Sequence, residues 1–303
     1  MHFKHITPAD YPALKRFFAR QPYPLCSYSL SSLLVWSNKV YQPFGAVEGD
    51  TLIIYAEYPA QREKRHLILP ISSSTETSPE KLYDLASSLD LAKCWFVPQN
   101  YLQHYGRERI EARFDVVEQP EYEDYIYLTE DLARLCGNKY AKKRNLIKQF
   151  ERTYVDRGRA TLETITTGHA EECIEFLEIW CEQRDCDADP EEDLACEKIA
   201  VINTFENFEV LEVAGILIRI DGQVSAFAVA SALMPDMGVL HFEKAYTDIK
   251  GLYQYLDNRC AGTLFDGRTY INKESDMNIP GLAKSKKSYH PVRRVKSYEL
   301  TLK

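Results

Sequence analysis

Three stretches of the chain carry side chains suited to anion binding or acid–base chemistry. The first is basic. Lys139, Lys142, Lys143, Arg144, Lys148 and Arg152 fall in one predicted helix, with Glu151 as the only acid among them. Arg144, Lys148 and Arg152 are four apart and form one stripe, because residues i and i+4 share a helix face. Lys139, Lys142 and Lys143 cluster near the helix start, and Leu146, Ile147 and Phe150 are left to dock it. Such a run reads as a solvated surface helix or as a phosphate-binding patch. The composition strengthens the second reading. The chain carries 37 Lys and Arg against 45 Asp and Glu, a net charge of −8, so a cationic surface has to be assembled locally.

The second stretch runs from Asn272 to Pro291. A strand over Thr269 to Asn272 leads into polar residues, then a Pro280-Gly281 turn, then a short basic helix that ends at Tyr289. Ligands of α/β sheets collect where strands end. Asn272, Asp276, Lys284, Lys286, Lys287 and Tyr289 are therefore candidates; the plain alternative is a surface loop with a Lys-rich helix. The third stretch is the strand His241 to Asp248. Alternation sends His241, Glu243 and Ala245 to one face and Phe242, Lys244 and Tyr246 to the other. An acid and a base in mid-sheet are costly to bury unpaired, so they line a cleft or pair with neighbours.

Several chemistries lack support. The cysteines, Cys26, Cys94, Cys136, Cys173, Cys181, Cys186, Cys196 and Cys260, contain no C-x-x-C pair, and the histidines complete no zinc pattern. Structural or free thiols are expected, and no metal. No Ser-His-Asp set has motif support, which favours direct attack over a covalent intermediate. No apolar run approaches the roughly 18 residues of a membrane-spanning helix. Met1 to His5 has no apolar signal core, so a cytoplasmic protein is expected. The acidic balance argues against wholesale DNA binding.

The elements that must position these residues follow an α/β pattern. With 303 residues, 45% hydrophobic and 27% charged, the chain is globular and long enough for two domains. Thr7 caps a helix from Pro8 to about Arg20. Phe44 to Val47 and Thr51 to Tyr58 flank a turn at Glu48-Gly49-Asp50. A helical stretch begins at Asp131 and runs towards Tyr154, interrupted at Gly137. In the second half, His169 to Arg184 is amphipathic, and an acidic segment from Asp185 to Asp193 follows. Leu211 to Ile220, Asp221-Gly222 and Gln223 to Leu233 form the clearest hairpin, since Asp-Gly supplies the positive backbone angles of a tight turn. Val239 to Tyr246 is the strand beside it, Leu252 to Phe265 a helix, and Val295 to Thr301 a strand closing the sheet. The halves share a plan, which predicts domains over 1–155 and 156–303, the second carrying the active cleft.

The runs Asn138 to Phe150, Phe242-Glu243-Lys244-Ala245, Lys250-Gly251-Leu252-Tyr253-Gln254 and Asn272 to Pro291 together resemble a family of bacterial proteins. That family is similar to the C-terminal domain of phosphatidylglycerol lysyltransferase. The resemblance covers almost the whole chain, in order. It implies an α/β fold of two tandem GNAT-like (acyl-CoA N-acyltransferase-like) domains with mixed, mostly antiparallel sheets flanked by helices, as in the Fem-type aminoacyltransferases. It also implies aminoacyl transfer from aminoacyl-tRNA to an amine or hydroxyl acceptor, whether small molecule, peptide or lipid headgroup. Under that reading Glu243 binds a substrate ammonium or acts as base, Lys244 or Tyr289 stabilises the oxyanion, and Asp276 holds an aminoacyl ammonium. Lys142, Lys143, Arg144, Asn145, Lys284, Lys286 and Lys287 would meet phosphates, with Gly251 and Asn272 completing the binding set. The alternatives are a CoA-dependent N-acyltransferase and a non-catalytic module binding a small molecule or phosphate. The GNAT pyrophosphate loop is matched only at Gly251; Asp248 and Tyr253 depart from it, so no cofactor is expected and acetyl-CoA is disfavoured.

Overall fold

The computed structural model describes residues 1–72, 76–183 and 193–303. Most of the acidic segment after Arg184, with Cys186, lies outside the described residues. Two mixed sheets are flanked by helices. The strands are β1 (Lys4–His5), β2 (Gln42–Glu48), β3 (Thr51–Glu57), β4 (His66–Leu67), β5 (Ile71–Ser72), β6 (Lys93–Pro98), β7 (Phe114–Glu118), β8 (Asp124–Leu128), β9 (Ala160–Thr164), β10 (Ala214–Ile220), β11 (Gln223–Met234), β12 (Met237–Ala245), β13 (Tyr270–Asn272), β14 (Arg293–Val295) and β15 (Ser297–Leu302). The helices are α1 (Tyr11–Phe18), α2 (Leu30–Val35), α3 (Pro79–Ser88), α4 (Gln99–Tyr105), α5 (Arg107–Glu111), α6 (Thr129–Arg134), α7 (Ala141–Phe150), α8 (Ala170–Glu182), α9 (Asp193–Glu206), α10 (Leu252–Thr263) and α11 (Pro280–Lys287).

The first sheet has the order β1-β2-β3-β4-β6-β15-β7, with β5 also paired to β3; the second is β14-β8-β13-β12-β11-β10-β9. Each sheet holds one parallel pair, β4 with β6 and β12 with β13, among antiparallel neighbours. The hairpin at Asp221-Gly222 forms as expected, with φ of 51° and 88° at its two central residues.

Two strands cross between the halves. The C-terminal strand, expected to close the second sheet, instead lies between β6 and β7 in the first, with Leu300 opposite Cys94 and Val116. Its Tyr298 and Leu300 are buried in the core that contains Val97, Leu102 and Phe114. Conversely β8 sits in the second sheet between β14 and β13. The division between sheets therefore does not follow a cut of the chain at 155/156.

The helical stretch from Asp131 is two helices rather than one. Leu135 at φ 49° and Gly137 at φ 86° end α6, and α7 starts afresh at Ala141. One face of the second sheet packs on α6, α7 and α10 through Leu132, Phe150, Leu252 and Leu256. The other face, through Phe227, Val229 and Phe242, joins the core of the first half. Every residue of α2 is buried between them, including two serines.

A register shift between β11 and β12 corrects the simple alternation at His241. Val229 pairs with Phe242 but Ala230 pairs with Leu240, so His241 is the extra residue of a β-bulge. It turns towards the first half and meets Ser32 of α2, while Glu243 stays on the α10 side.

Candidate functional site

β12 and β13 are paired only at Met237–Tyr270, Gly238–Ile271 and Val239–Asn272. Past that point β12 continues to Ala245 along β11, while β13 ends and the chain turns away through Glu274 at φ 56°. The two strands thus open into a wedge at their C-terminal ends. Glu243 from β12 and Lys273 from the end of β13 meet on one side of it. Lys273 Nζ lies 3.2 Å from Glu243 Oε2 and 2.6 Å from Oδ1 of Asp257, which α10 supplies. The other Asp257 oxygen is buried, and the Tyr289 hydroxyl interacts with Asp257. Tyr289 closes the group: its ring lies 5.1 Å from the Lys273 ammonium and 3.6 Å from that of Lys143. Lys143 also donates to Ser288 Oγ at 2.8 Å.

The electrostatics follow from burial. Burial opposes the charge of Lys273, but Asp257 and Glu243 outweigh it and hold the ammonium above the ordinary lysine value. Burial pushes the Glu243 carboxyl up, and the Lys273 charge only partly pulls it back. Burial and the two carboxylates keep Tyr289 protonated well past the usual tyrosine range. Lys143 is brought down to about 8, chiefly by burial, against the attraction of Asp257. Since the folded state binds fewer protons at Lys143 than the unfolded chain does between pH 8 and the ordinary lysine value, stability gains with rising pH across that window. Its amine should also react with acetic anhydride at pH 7 about tenfold or more faster than an ordinary exposed lysine. Trace labelling read by peptide mass checks this; a rate at or below that of a free lysine side chain would contradict it.

Lys286 reaches back from α11 and donates to the carbonyls of Lys273 and Ser275, clamping the helix to the end of the wedge. Tyr127 donates to the Lys286 carbonyl at 2.8 Å, and Tyr140 to that of Tyr289 at 3.0 Å. The start of α7 and the end of α11, far apart in sequence, are thereby neighbours. Lys142, Asn145, Lys284 and Lys287 are exposed on these two helices.

Glu243, Tyr289, Lys143 and Lys286 thus gather around Lys273. Other candidates lie elsewhere or are engaged. Lys244 points to the opposite face, pairing with Glu197 of α9 at 2.5 Å and lying 4.2 Å from the Trp180 ring. Asp276 accepts from the Tyr125 hydroxyl at 2.5 Å and the Asn278 amide at 2.9 Å, which fixes the turn into α11. Asn272 is fully buried, donating to Asp124 at 2.7 Å and to the Pro24 carbonyl at 3.0 Å. Arg144 donates to the carbonyls of Leu135 and Gly137 and so ties down the end of α6.

Gly251 begins α10 at φ 88°, and a Cβ there would come within 2.2 Å of the Leu146 carbonyl oxygen. The glycine serves the close crossing of α7 over α10. A surface groove of about 350 Å³ lined by Gln149, Arg152, Thr153, Tyr154, Asp248 and Lys250 lies at the C-terminal end of α7, away from the Lys273 cluster. Among the described residues, no group of His, Cys, Asp and Glu is arranged to hold a metal ion.

Sequence reasoning missed Lys273 and Asp257. Asp257 had a signal: it falls on the buried stripe of α10 with Leu252, Leu256 and Cys260, where an acid needs a partner. Lys273 had none, because nothing local marks a lysine at a strand end as buried.

This mixed α/β fold, with two parallel strands parting into a wedge, is shared with an acyltransferase-like family. The profile described as phosphatidylglycerol lysyltransferase, C-terminal, matches residues 20–301, and the chain belongs to that family. A conserved protein of unknown function from Bacteroides thetaiotaomicron is 31% identical, with a TM-score of 0.88 over 99% of each chain. The C-terminal domain assigned to a lysylphosphatidylglycerol synthetase of Agrobacterium fabrum is 14% identical, with a TM-score of 0.66 over 97% of this chain and 92% of that one. A tandem GNAT protein of the clavulanic acid biosynthesis pathway is 10% identical, with a TM-score of 0.46 over 98% and 97%. Among curated proteins none matches. Among the described residues no helix is long and apolar enough to cross a membrane.

Proposed function

We propose that this chain transfers an aminoacyl group from aminoacyl-tRNA to an amine or hydroxyl acceptor, with the chemistry at the Glu243–Lys273–Asp257 wedge. The observation that carries the proposal is the Glu243 carboxylate held at the wedge 3.2 Å from Lys273 Nζ, with Asp257 and the Tyr289 ring against the same ammonium. An acceptor amine attacks the ester carbonyl, and Glu243 takes the amine proton. Lys273 and the Tyr289 hydroxyl face the oxygen that gains charge. The departing ribose oxygen takes that proton from Glu243, which returns to the carboxylate, and an amide replaces the ester. No covalent enzyme intermediate is required at this wedge.

The donor assignment is supported by charge placement. Lys142 and Lys143 lie on α7 and Lys284 and Lys287 on α11, helices linked by the Lys143–Ser288 hydrogen bond beside Tyr289, in an acidic protein. The CoA alternative is weakened by Gly251, because the amide end of α10 that would cradle a pyrophosphate is covered by the Leu146 carbonyl.

Incubation with a panel of labelled aminoacyl-tRNAs and cell extract tests the proposal; label should move to a non-tRNA product for one amino acid or a small set. Micromolar binding of acetyl-CoA with no transfer from any aminoacyl-tRNA would replace it with the CoA reading, and binding of neither with a sensing module. The tRNA contact has its own check. Each phosphate contact contributes a salt slope of about −0.7 for single strands. Converting Lys142, Lys284 and Lys287 to Ala together should flatten the slope by about 2, with stability nearly unchanged, since exposed charges contribute little to it. Arg144 is left in place because it secures α6. Filter retention across a salt series measures the slope, and an unaltered slope means these lysines do not meet the nucleic acid.

A further inference from the structure

A second polar chain lies on the other face of the second sheet. The β-bulge turns His241 towards the first half, where its Nε2 is 2.7 Å from Ser231 Oγ. Its Nδ1 is 3.2 Å from Glu274 Oε1 and 3.2 Å from Ser32 Oγ. Ser29, the residue that caps α2, places its hydroxyl 3.2 Å from Ser231 Oγ. None of these neighbours is adjacent in sequence: they come from α2, β11, β12 and the turn after β13.

The Ser231 hydroxyl has two acceptors in reach, His241 Nε2 at 2.7 Å and the Ala232 carbonyl at 3.4 Å, and the first is the shorter. With Nδ1 donating to the Glu274 carboxylate, the imidazole proton sits on Nδ1. Nε2 then presents its lone pair to the Ser231 hydroxyl. That is the tautomer a base needs to draw a proton from serine. The histidine is held rigidly, its side chain 3% exposed, while Glu274 is 21% exposed. Glu274 is aimed by its own backbone: its amide donates to Asn272 Oδ1 at 2.7 Å, and Asn272 is anchored to Asp124 and Pro24. Ser231 is half-buried, one residue past Ala230, which faces Ala214 and is the last β11 residue paired with β10. The Ser231 hydroxyl lies part-buried between His241 and Ser29.

We propose that Ser231 is a nucleophile activated by His241 and Glu274, forming an acyl-serine with carboxylic esters. The Ser231 oxygen bonds to the ester carbonyl carbon and gives its proton to His241 Nε2. Ser29, freed from Ser231 Oγ, is the nearest hydroxyl to the developing oxyanion. The carbon–oxygen bond to the leaving alcohol then breaks, and that alcohol takes the proton from His241. Water or an amine attacks the acyl-serine, passes its proton to His241, and Ser231 leaves as the hydroxyl with that proton. Atoms and charge balance without a further reactant. This centre is separate from Glu243, which faces the other side of β12.

The full chain is treated with a biotinylated fluorophosphonate, a probe that phosphonylates activated serines, and the adduct is located by peptide mass. Ser231 should carry it. His241→Ala should slow labelling by at least 10²-fold and Glu274→Gln by about tenfold or more, since the amide no longer fixes the tautomer. Ser231→Ala should abolish the adduct, and p-nitrophenyl acetate should show a burst of about one equivalent per chain only when Ser231 is present. No adduct on the wild-type protein overturns the proposal, as does an adduct on another serine. Because the wild-type result decides, a variant that fails to fold does not shelter it. Neither readout involves tRNA, so this outcome and that of the aminoacyl-transfer reading are independent.

Discussion

Glu243→Gln is expected to lower acyl transfer by about 10²–10⁴-fold, the usual weight of a positioned general base, while the protein stays folded. The amide has the shape of the carboxylate and can still accept from Lys273, whose shorter contact is in any case to Asp257. The loss should therefore fall on the chemical step rather than on tRNA affinity. The two forms should also differ in how stability depends on pH. A carboxyl whose folded value is raised contributes stability that is fully present below its unfolded value and is lost as pH rises through the folded one. The wild type should thus lose some stability on raising the pH through the Glu243 titration, and the glutamine form should not. Single-turnover rates with the aminoacyl-tRNA identified by the panel, and urea melts from pH 5 to 9, measure both effects. A rate within threefold of wild type would remove Glu243 from the role of base.

Lys273→Met should be the most destabilising exchange at the site. Methionine fills much the same space, yet it leaves Glu243 and Asp257 buried and negative with no cation between them. Removing one partner of a buried pair costs about 3–5 kcal/mol, and here one lysine serves two acids. The loss should shrink towards pH 5 as Glu243, whose carboxyl burial already pushes up, takes up a proton instead. Adding Glu243→Gln and Asp257→Asn should recover at least half of it, because a polar but neutral cluster no longer needs the ammonium. Urea unfolding at pH 8 is the measurement. A loss below about 1 kcal/mol would mean that the cluster is solvated and that Glu243 is not shielded as described.

How much of this was legible in the sequence depends on whether a feature is local. The Asp221-Gly222 hairpin was, because two residues set the turn angles. The resemblance, too, placed the chain in its family. Features set by distant partners were not. One residue of slip between β11 and β12 moved His241 to the opposite face from Glu243, and periodicity cannot register a bulge. Lys244 drew attention for its charge, but it is satisfied by Glu197 and Trp180, from helices nearly fifty residues and more than sixty residues away. Gly251 matched a phosphate-loop position, yet its lack of a side chain serves helix packing. Asp276 and Arg144 stood out as ionisable groups, but their hydrogen bonds to Tyr125 and to the carbonyls of Leu135 and Gly137 could not be read from local sequence.

The exchange of strands between the two sheets bears on how the chain acquires its structure during synthesis. Residues 93–98 leave the ribosome about two hundred residues before 297–302, the strand that fills the gap between β6 and β7. At the ~5–20 residues per second of translation, that gap stays open for roughly ten seconds or more. Over that interval the backbone edges of β6 and β7 have no partner, and an open strand edge is a template for another chain. Final closure joins residues with a very large sequence separation, the kind of contact that slows folding. Nascent-chain proteolysis should therefore show the first sheet becoming protected only after the last strand emerges, late and in concert with the second.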